Sequence, residues 1–229
     1  MRIAARRVFW MLPILLALGH AGTAEDLITI SGPNTTRIVG SPGQGLLRRM
    51  PVAVFARLDI KDSLVNRICA EADAIWRPAG ITFEWHRVTS ADTVRTWWLA
   101  VIIDERPKDV SDAQAALGWI PFAADGPQPP IHLWRSNAEE LLLRTPGVED
   151  KTISAHETLL GRALGRALSH ELGHYLLRSK DHTPHGLMRA VRSSDEFFRI
   201  SRDGFEPSAE EREAAARRIQ QEWPTEGDL

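Results

Sequence analysis

The chain has 229 residues, 43% of them hydrophobic and 25% charged, a globular composition with length enough for one fully buried core. Its 28 Lys and Arg stand against 30 Asp and Glu, a formal charge of −2. That balance excludes the basic surface expected of a nucleic-acid partner and the like-charge block of a solvated tail.

Residues 1–24 read as a secretory signal rather than fold. Arg2, Arg6 and Arg7 precede an apolar run from Val8 to Leu18, and Gly22-Thr23-Ala24 supplies the small residues a signal peptidase needs, with cleavage expected after Ala24. The run is too short to span a bilayer comfortably, and no other stretch is apolar enough. The mature chain is therefore expected to be secreted or periplasmic and free of the membrane. One cysteine, Cys69, cannot build an internal disulfide framework; on the apolar face of a helix it reads as a small buried hydrophobe.

Residues 25–50, rich in Gly, Pro, Ser, Thr and Asn, read as a flexible arm. The regular pattern begins at Pro51–Asp59, an alternating strand. Asp62 or Ser63 opens a helix to about Trp76, with Leu64, Ile68, Ala72 and Ile75 on one face. Arg77-Pro78-Ala79-Gly80 ends it. Ile81–Val88 is a second strand, and Trp97–Asp104 a third, apolar enough to lie inside a sheet. Leu117–Phe122 and Ile131–Arg135 are short strands around a Pro-rich turn that suits a sheet edge. A long helix starts at Thr152 or Ser154 and continues to about Leu177, with Leu160, Leu164, Ala167 and Leu168 on its apolar face. Arg178–Phe205 reads as irregular. Ser208 with Glu211 is a capping box opening a last helix to Trp223.

Residues 170–188 read HELGHYLLRSKDHTPHGLM and carry the chemistry. His170 and His174 are one helical turn apart on one face, so both imidazoles can reach a single ion. Zinc takes nitrogen ligands tetrahedrally, and a catalytic site keeps one position open for water. Glu171 is placed to act on that water as general base. The five-residue pattern alone also arises by chance in long helices. His182, a third candidate ligand, and Gly186-Leu187-Met188, a turn able to bring a methionine beneath the histidines, add to it.

On these residues the chain resembles the metzincin clan of zinc peptidases, over residues 51 to about 223. The resemblance implies an α/β (α+β) fold: a twisted, mostly parallel mixed sheet with an antiparallel edge strand, a backing helix and an active-site helix, in a catalytic domain spanning 51–229. It implies Zn2+ held by His170, His174 and His182, Glu171 as the base of peptide-bond hydrolysis, and Met188 as an apolar floor rather than a ligand. It also makes Ile131–Arg135 the edge strand, beside which a peptide or protein substrate binds by strand addition.

The spacing departs from the clan. Its motif has Gly three residues after the second histidine and the third ligand three residues later; here those places hold Leu177 and Lys180, and His182 comes two residues late. Either the helix runs longer or Arg178–Asp181 bulges. His185 is a rival third ligand, and Glu196 a further one in the manner of gluzincins. Asp181 either orients an imidazole or is a solvated charge. Tyr175 is the lone tyrosine, so no tyrosine follows the methionine as a switch ligand. His86, His132 and His156 read as surface or structural, and Trp76, Trp85, Trp97, Trp98, Trp119 and Trp134 as core or cleft wall. The expected protein is a monomeric zinc metalloendopeptidase. The alternative is a zinc-binding scaffold without catalysis, against which the intact Glu171 argues.

Overall fold

A computed structural model describes residues 28–29, 49–89, 98–106, 116–148 and 152–223. The signal segment and most of the arm lie outside these residues, as does Trp97. Among the described residues no helix is long and apolar enough to cross a membrane.

The elements follow the expected alternation, with several short additions. Strand β1 is Ile28–Thr29, β2 is Arg49–Ala56, helix α1 is Asp62–Trp76, β3 is Thr82–Arg87 and β4 is Leu99–Asp104. Next come β5 (Gly118–Trp119), β6 (Phe122–Ala123), β7 (Gly126–Pro127) and β8 (Ile131–Trp134). The helices α2 (Arg135–Leu143), α3 (Ile153–Leu177), α4 (Ser194–Phe198) and α5 (Ala209–Glu222) complete the order. Thr152 caps α3 through its side chain, and Ser208 with Glu211 forms the capping box of α5. Helices α2 and α4 fall where no helix was expected.

Six strands form one mixed sheet in the order β1-β3-β2-β4-β8-β5. The inner pairings β3–β2, β2–β4 and β4–β8 are parallel, and β1 and β5 add antiparallel at the two edges. This is the expected mixed α/β architecture, with one correction. Ile131–Arg135 is not the edge strand: Val101 pairs with Ile131 on one side of β8, and Gly118 pairs with Leu133 on the other. The reason is burial. Ile131 and Leu133 are fully buried on the face that meets α3, as an internal strand requires, whereas β5 is two residues long and leaves Trp119 half exposed. The Pro-rich segment leaves the sheet as the small β6–β7 hairpin, where missing N–H groups break no ladder of the six-stranded sheet.

Helices α1 and α3 pack against each other on one face of the sheet. Their closeness comes from a ridge of small residues spaced by four on α3: Gly161, Gly165, Ser169 and Gly173. A β-carbon at Gly165 would lie 2.6 Å from Glu71 Cβ and 2.7 Å from the Ile68 carbonyl oxygen, and one at Gly161 only 2.5 Å from Arg67 Cβ. Trp76, fully buried, donates its indole N–H to the Ser169 carbonyl at 3.2 Å. Gly165→Ala is expected to destabilise the fold by a net of about 1–2 kcal/mol, overpacking outweighing the helix propensity gained. The unfolding midpoint in urea reads this; an unchanged or higher midpoint would mean that α1 can back away from α3.

Arg166, fully buried on α3, ties the downstream segment to this pair. Its Nε donates to Glu71 on α1 at 3.1 Å, its Nη2 to the Ser201 carbonyl at 2.7 Å, and its Nη1 to the Glu196 carbonyl. Arg202 donates to the other Glu71 oxygen. A buried charge set this fully paired fixes the course of residues 186–205 more than it adds net stability. Cys69 is buried, and burial pushes its thiol well above the ordinary range, in keeping with a packing role.

Candidate metal centre

The site lies on the second half of α3, where the helix passes β5 and β8. His170 and His174 each donate Nδ1–H to a backbone carbonyl, Leu187 at 2.9 Å and Ser179 at 2.7 Å. A carbonyl only accepts, so each Nδ1 holds a proton. Burial pushes His170 down to about 4 and His174 downward as well. Both rings are therefore neutral near pH 7, with their lone pairs on Nε2. Those two Nε2 atoms stand 3.0 Å apart. Facing lone pairs at that distance repel unless a cation lies between them. Tetrahedral zinc with Zn–N of about 2.0–2.1 Å would separate two ligand nitrogens by about 3.3 Å.

His182 closes the set. Its ring centroid is 5.2 Å from that of His170 and 4.9 Å from that of His174, and the candidate ligand atoms of all three lie within 4.8 Å of one another. Among the described residues this is the cluster able to hold a metal ion, and three imidazoles around one open position point to zinc.

The two extra residues before His182 are divided between helix and loop. Helix α3 runs to Leu177, and its left-handed cap falls on Arg178 at φ 51°, one residue later than the clan's glycine. The second extra residue sits in the turn 179–181. The Arg178 guanidinium reaches over to the Asp125 carbonyl at 2.7 Å, anchoring the β6–β7 hairpin, whose Phe122 meets the His174 ring edge-on at 6.0 Å.

Glu171 points to the other side, into the seam between α3 and β5. It is 7% exposed, and burial pushes its carboxyl up to about 8 against the opposing effect of a hydrogen bond from the Ile120 N–H. A dication held by the imidazoles of His170 and His174 would favour the ionised form. Met188, 2% exposed, packs against α3 at Gly173, the residue before His174: a β-carbon at Gly173 would stand 2.3 Å from its Sδ. Its carbonyl accepts from Thr183 N–H at 3.1 Å, closing the loop that follows His182.

The rivals lie elsewhere. His185 is exposed and outside the cluster. Glu196 closes the capping box of α4 with Ser193 and pairs with Arg189. Asp181 is exposed and accepts from the Ser179 hydroxyl at 3.0 Å, so it touches the segment that orients His174. Tyr175 packs against α5 under the Arg218 guanidinium, 4.5 Å from its ring centre. His156 bonds the Val148 carbonyl at 2.9 Å, His86 stacks on Trp98, and His132 lies between Trp119 and Trp134.

Two residues that the sequence pattern did not single out shape the site. Arg192 donates to the carbonyls of Gly186 and Leu187 while standing 3.9 Å over the Phe205 ring, so the carbonyl that orients His170 is itself held by a guanidinium. Gly118 is the second: a β-carbon there would lie 3.0 Å from Glu171 Cγ and 3.2 Å from Leu133 Cδ2. Neither carries a motif: Gly118 meets a residue of a distant helix, and Arg192, whose partners Gly186 and Leu187 are near in sequence, reaches His170 only through the Leu187 carbonyl.

No protein-family model matches the chain, and no curated protein sequence matches it. Among solved structures it is similar to the crystal structure of archaemetzincin from Methanopyrus kandleri, with a TM-score of 0.45 and 13% identity. That likeness covers 76% of this chain and 97% of the other, and concerns the course of the chain rather than the roles of individual residues.

Proposed function

We propose that this chain is a zinc-dependent metallopeptidase that acts after secretion and hydrolyses peptide bonds. The observation that carries the reading is the arrangement at the end of α3: the imidazoles of His170 and His174 on the helix and of His182 beyond it converge, and Glu171, next in sequence to His170, is buried with its side chain against the edge strand β5. A structural zinc site needs no such carboxylate.

In this reading His170, His174 and His182 hold zinc, and Met188 packs beneath as an apolar floor. Zinc, once bound, supplies Lewis acidity toward the scissile carbonyl and a charge that favours ionisation of water. Glu171 does the proton work: one carboxylate oxygen takes a proton from the attacking water and returns it to the departing amide nitrogen. The Leu187 and Ser179 carbonyls keep the Nδ1 protons in place, so both Nε2 lone pairs stay aimed at the ion. The substrate backbone pairs in extended form beside β5, a reading supported by the place of that strand at the edge of the sheet among the described residues.

The test is hydrolysis of a broad peptide library by the purified chain. Cleavage that a chelator abolishes and added zinc restores is the expected result. A chain that holds one zinc and cleaves nothing would instead be a zinc-binding scaffold.

A further inference from the structure

The space around Glu171 is set by the strand, not by the helix that carries it. Glu171 Cγ and Leu133 Cδ2 would lie 3.0 and 3.2 Å from a β-carbon at Gly118, and Glu171 Oε1 3.4 Å from it. Leu133 belongs to the core, fully buried on β8, and has no room to retreat. Any side chain at position 118 must therefore displace Glu171. Two residues on, the Ile120 N–H donates to the same carboxylate. Trp119 between them pairs with His132, and its ring packs toward that residue, 5.6 Å between centroids, on the other face of the sheet. A glycine inside a strand weakens it, so its presence asks for a reason of this kind.

We propose that Gly118 is a positioning residue for the base: with the Ile120 N–H it forms a seat on β5 that holds the Glu171 carboxylate against the strand that receives substrate. One strand thus sets both the register of the bound peptide and the place of the proton acceptor. This rests on the peptidase reading above.

The experiment compares wild type, Gly118→Ala and Gly118→Val as full zinc-loaded chains on a peptide that the wild type cleaves. A displacement of several tenths of an ångström at the base is expected to lower kcat about 10- to 100-fold for alanine and further for valine. The zinc dissociation constant, read by chelator competition, is expected to stay within twofold, because no imidazole moves. The thermal midpoint is expected to hold for alanine, the strand propensity gained offsetting the crowding, and to fall for valine, so alanine is the deciding variant. Wild-type kcat in Gly118→Ala would overturn the inference and leave the peptidase reading intact. A fall in activity that only tracks a fall in midpoint or zinc affinity would also overturn it, giving Gly118 a structural role. If the wild type itself cleaves nothing, it is the peptidase reading that fails.

Discussion

Glu171→Gln is expected to lower kcat for peptide hydrolysis by about 10³–10⁴-fold while the chain keeps its zinc. Glutamine matches the shape of glutamate and can still accept the Ile120 N–H, so the seat on β5 stays filled. What disappears is the group that takes a proton from water. Folding stability is expected to hold or rise, because burial already works against the charged form of this carboxyl, pushed up to about 8. Parallel measurement of kcat, zinc content and unfolding midpoint checks this. Full activity in the variant would remove Glu171 from the chemistry, and loss of zinc together with activity would make it a structural part of the site.

The second large effect concerns the third ligand. His182→Ala is expected to weaken zinc binding by on the order of 10³-fold, because two imidazoles alone do not complete a tetrahedral catalytic site. His185→Ala is expected to leave the affinity within twofold, since His185 is exposed and outside the cluster. Glu196→Ala is expected to spare zinc and instead loosen the start of α4, by about 1 kcal/mol, because it removes half of a capping box. Chelator competition on the three variants separates these roles. Near-wild-type zinc affinity in His182→Ala with a large loss in either of the others would reassign the ligand.

The parts of this molecule legible in the sequence are those governed by local periodicity. The β-rich run of β2, buried on both faces where alternation was expected, and the apolar stripes of α1 and α3 are short-range signals, and these elements lie close to where the pattern put them. The two histidines and the glutamate on α3 were legible for the same reason, a fixed spacing on one helix. Helix α2 was not: it has no side-chain cap, and its leucines are bunched at its C-terminal end, so neither start signal nor stripe marked it. Helix α4 did carry a signal, Ser193 with Glu196, but five residues are too few for periodicity to confirm it.

Strand order was the larger loss. Ile131–Trp134 and Gly118–Trp119 are both short and apolar, and nothing within either says which one lies at the edge. The neighbours of β8 decide it, and they come from residues 99–104 and 118–119. The same holds for the two residues inserted before His182: the residue that adopts the left-handed cap, Arg178, is identified by its backbone angle and its reach to Asp125 rather than by a glycine in the sequence. The ridge Gly161, Gly165, Ser169, Gly173 was open to a reading at period four, and it marks the close contacts of α3 with α1 and with Met188.

The central claim is a zinc ion held by His170, His174 and His182, and anomalous diffraction at the zinc edge from crystals of the purified chain tests it most directly. The expected map has one peak per chain, about 2.0–2.1 Å from the Nε2 atoms of His170 and His174 and from a ring nitrogen of His182, with one further coordination position left open. A chain crystallised with zinc that shows no peak there, or a peak completed by His185 or Glu196 in place of His182, would contradict it.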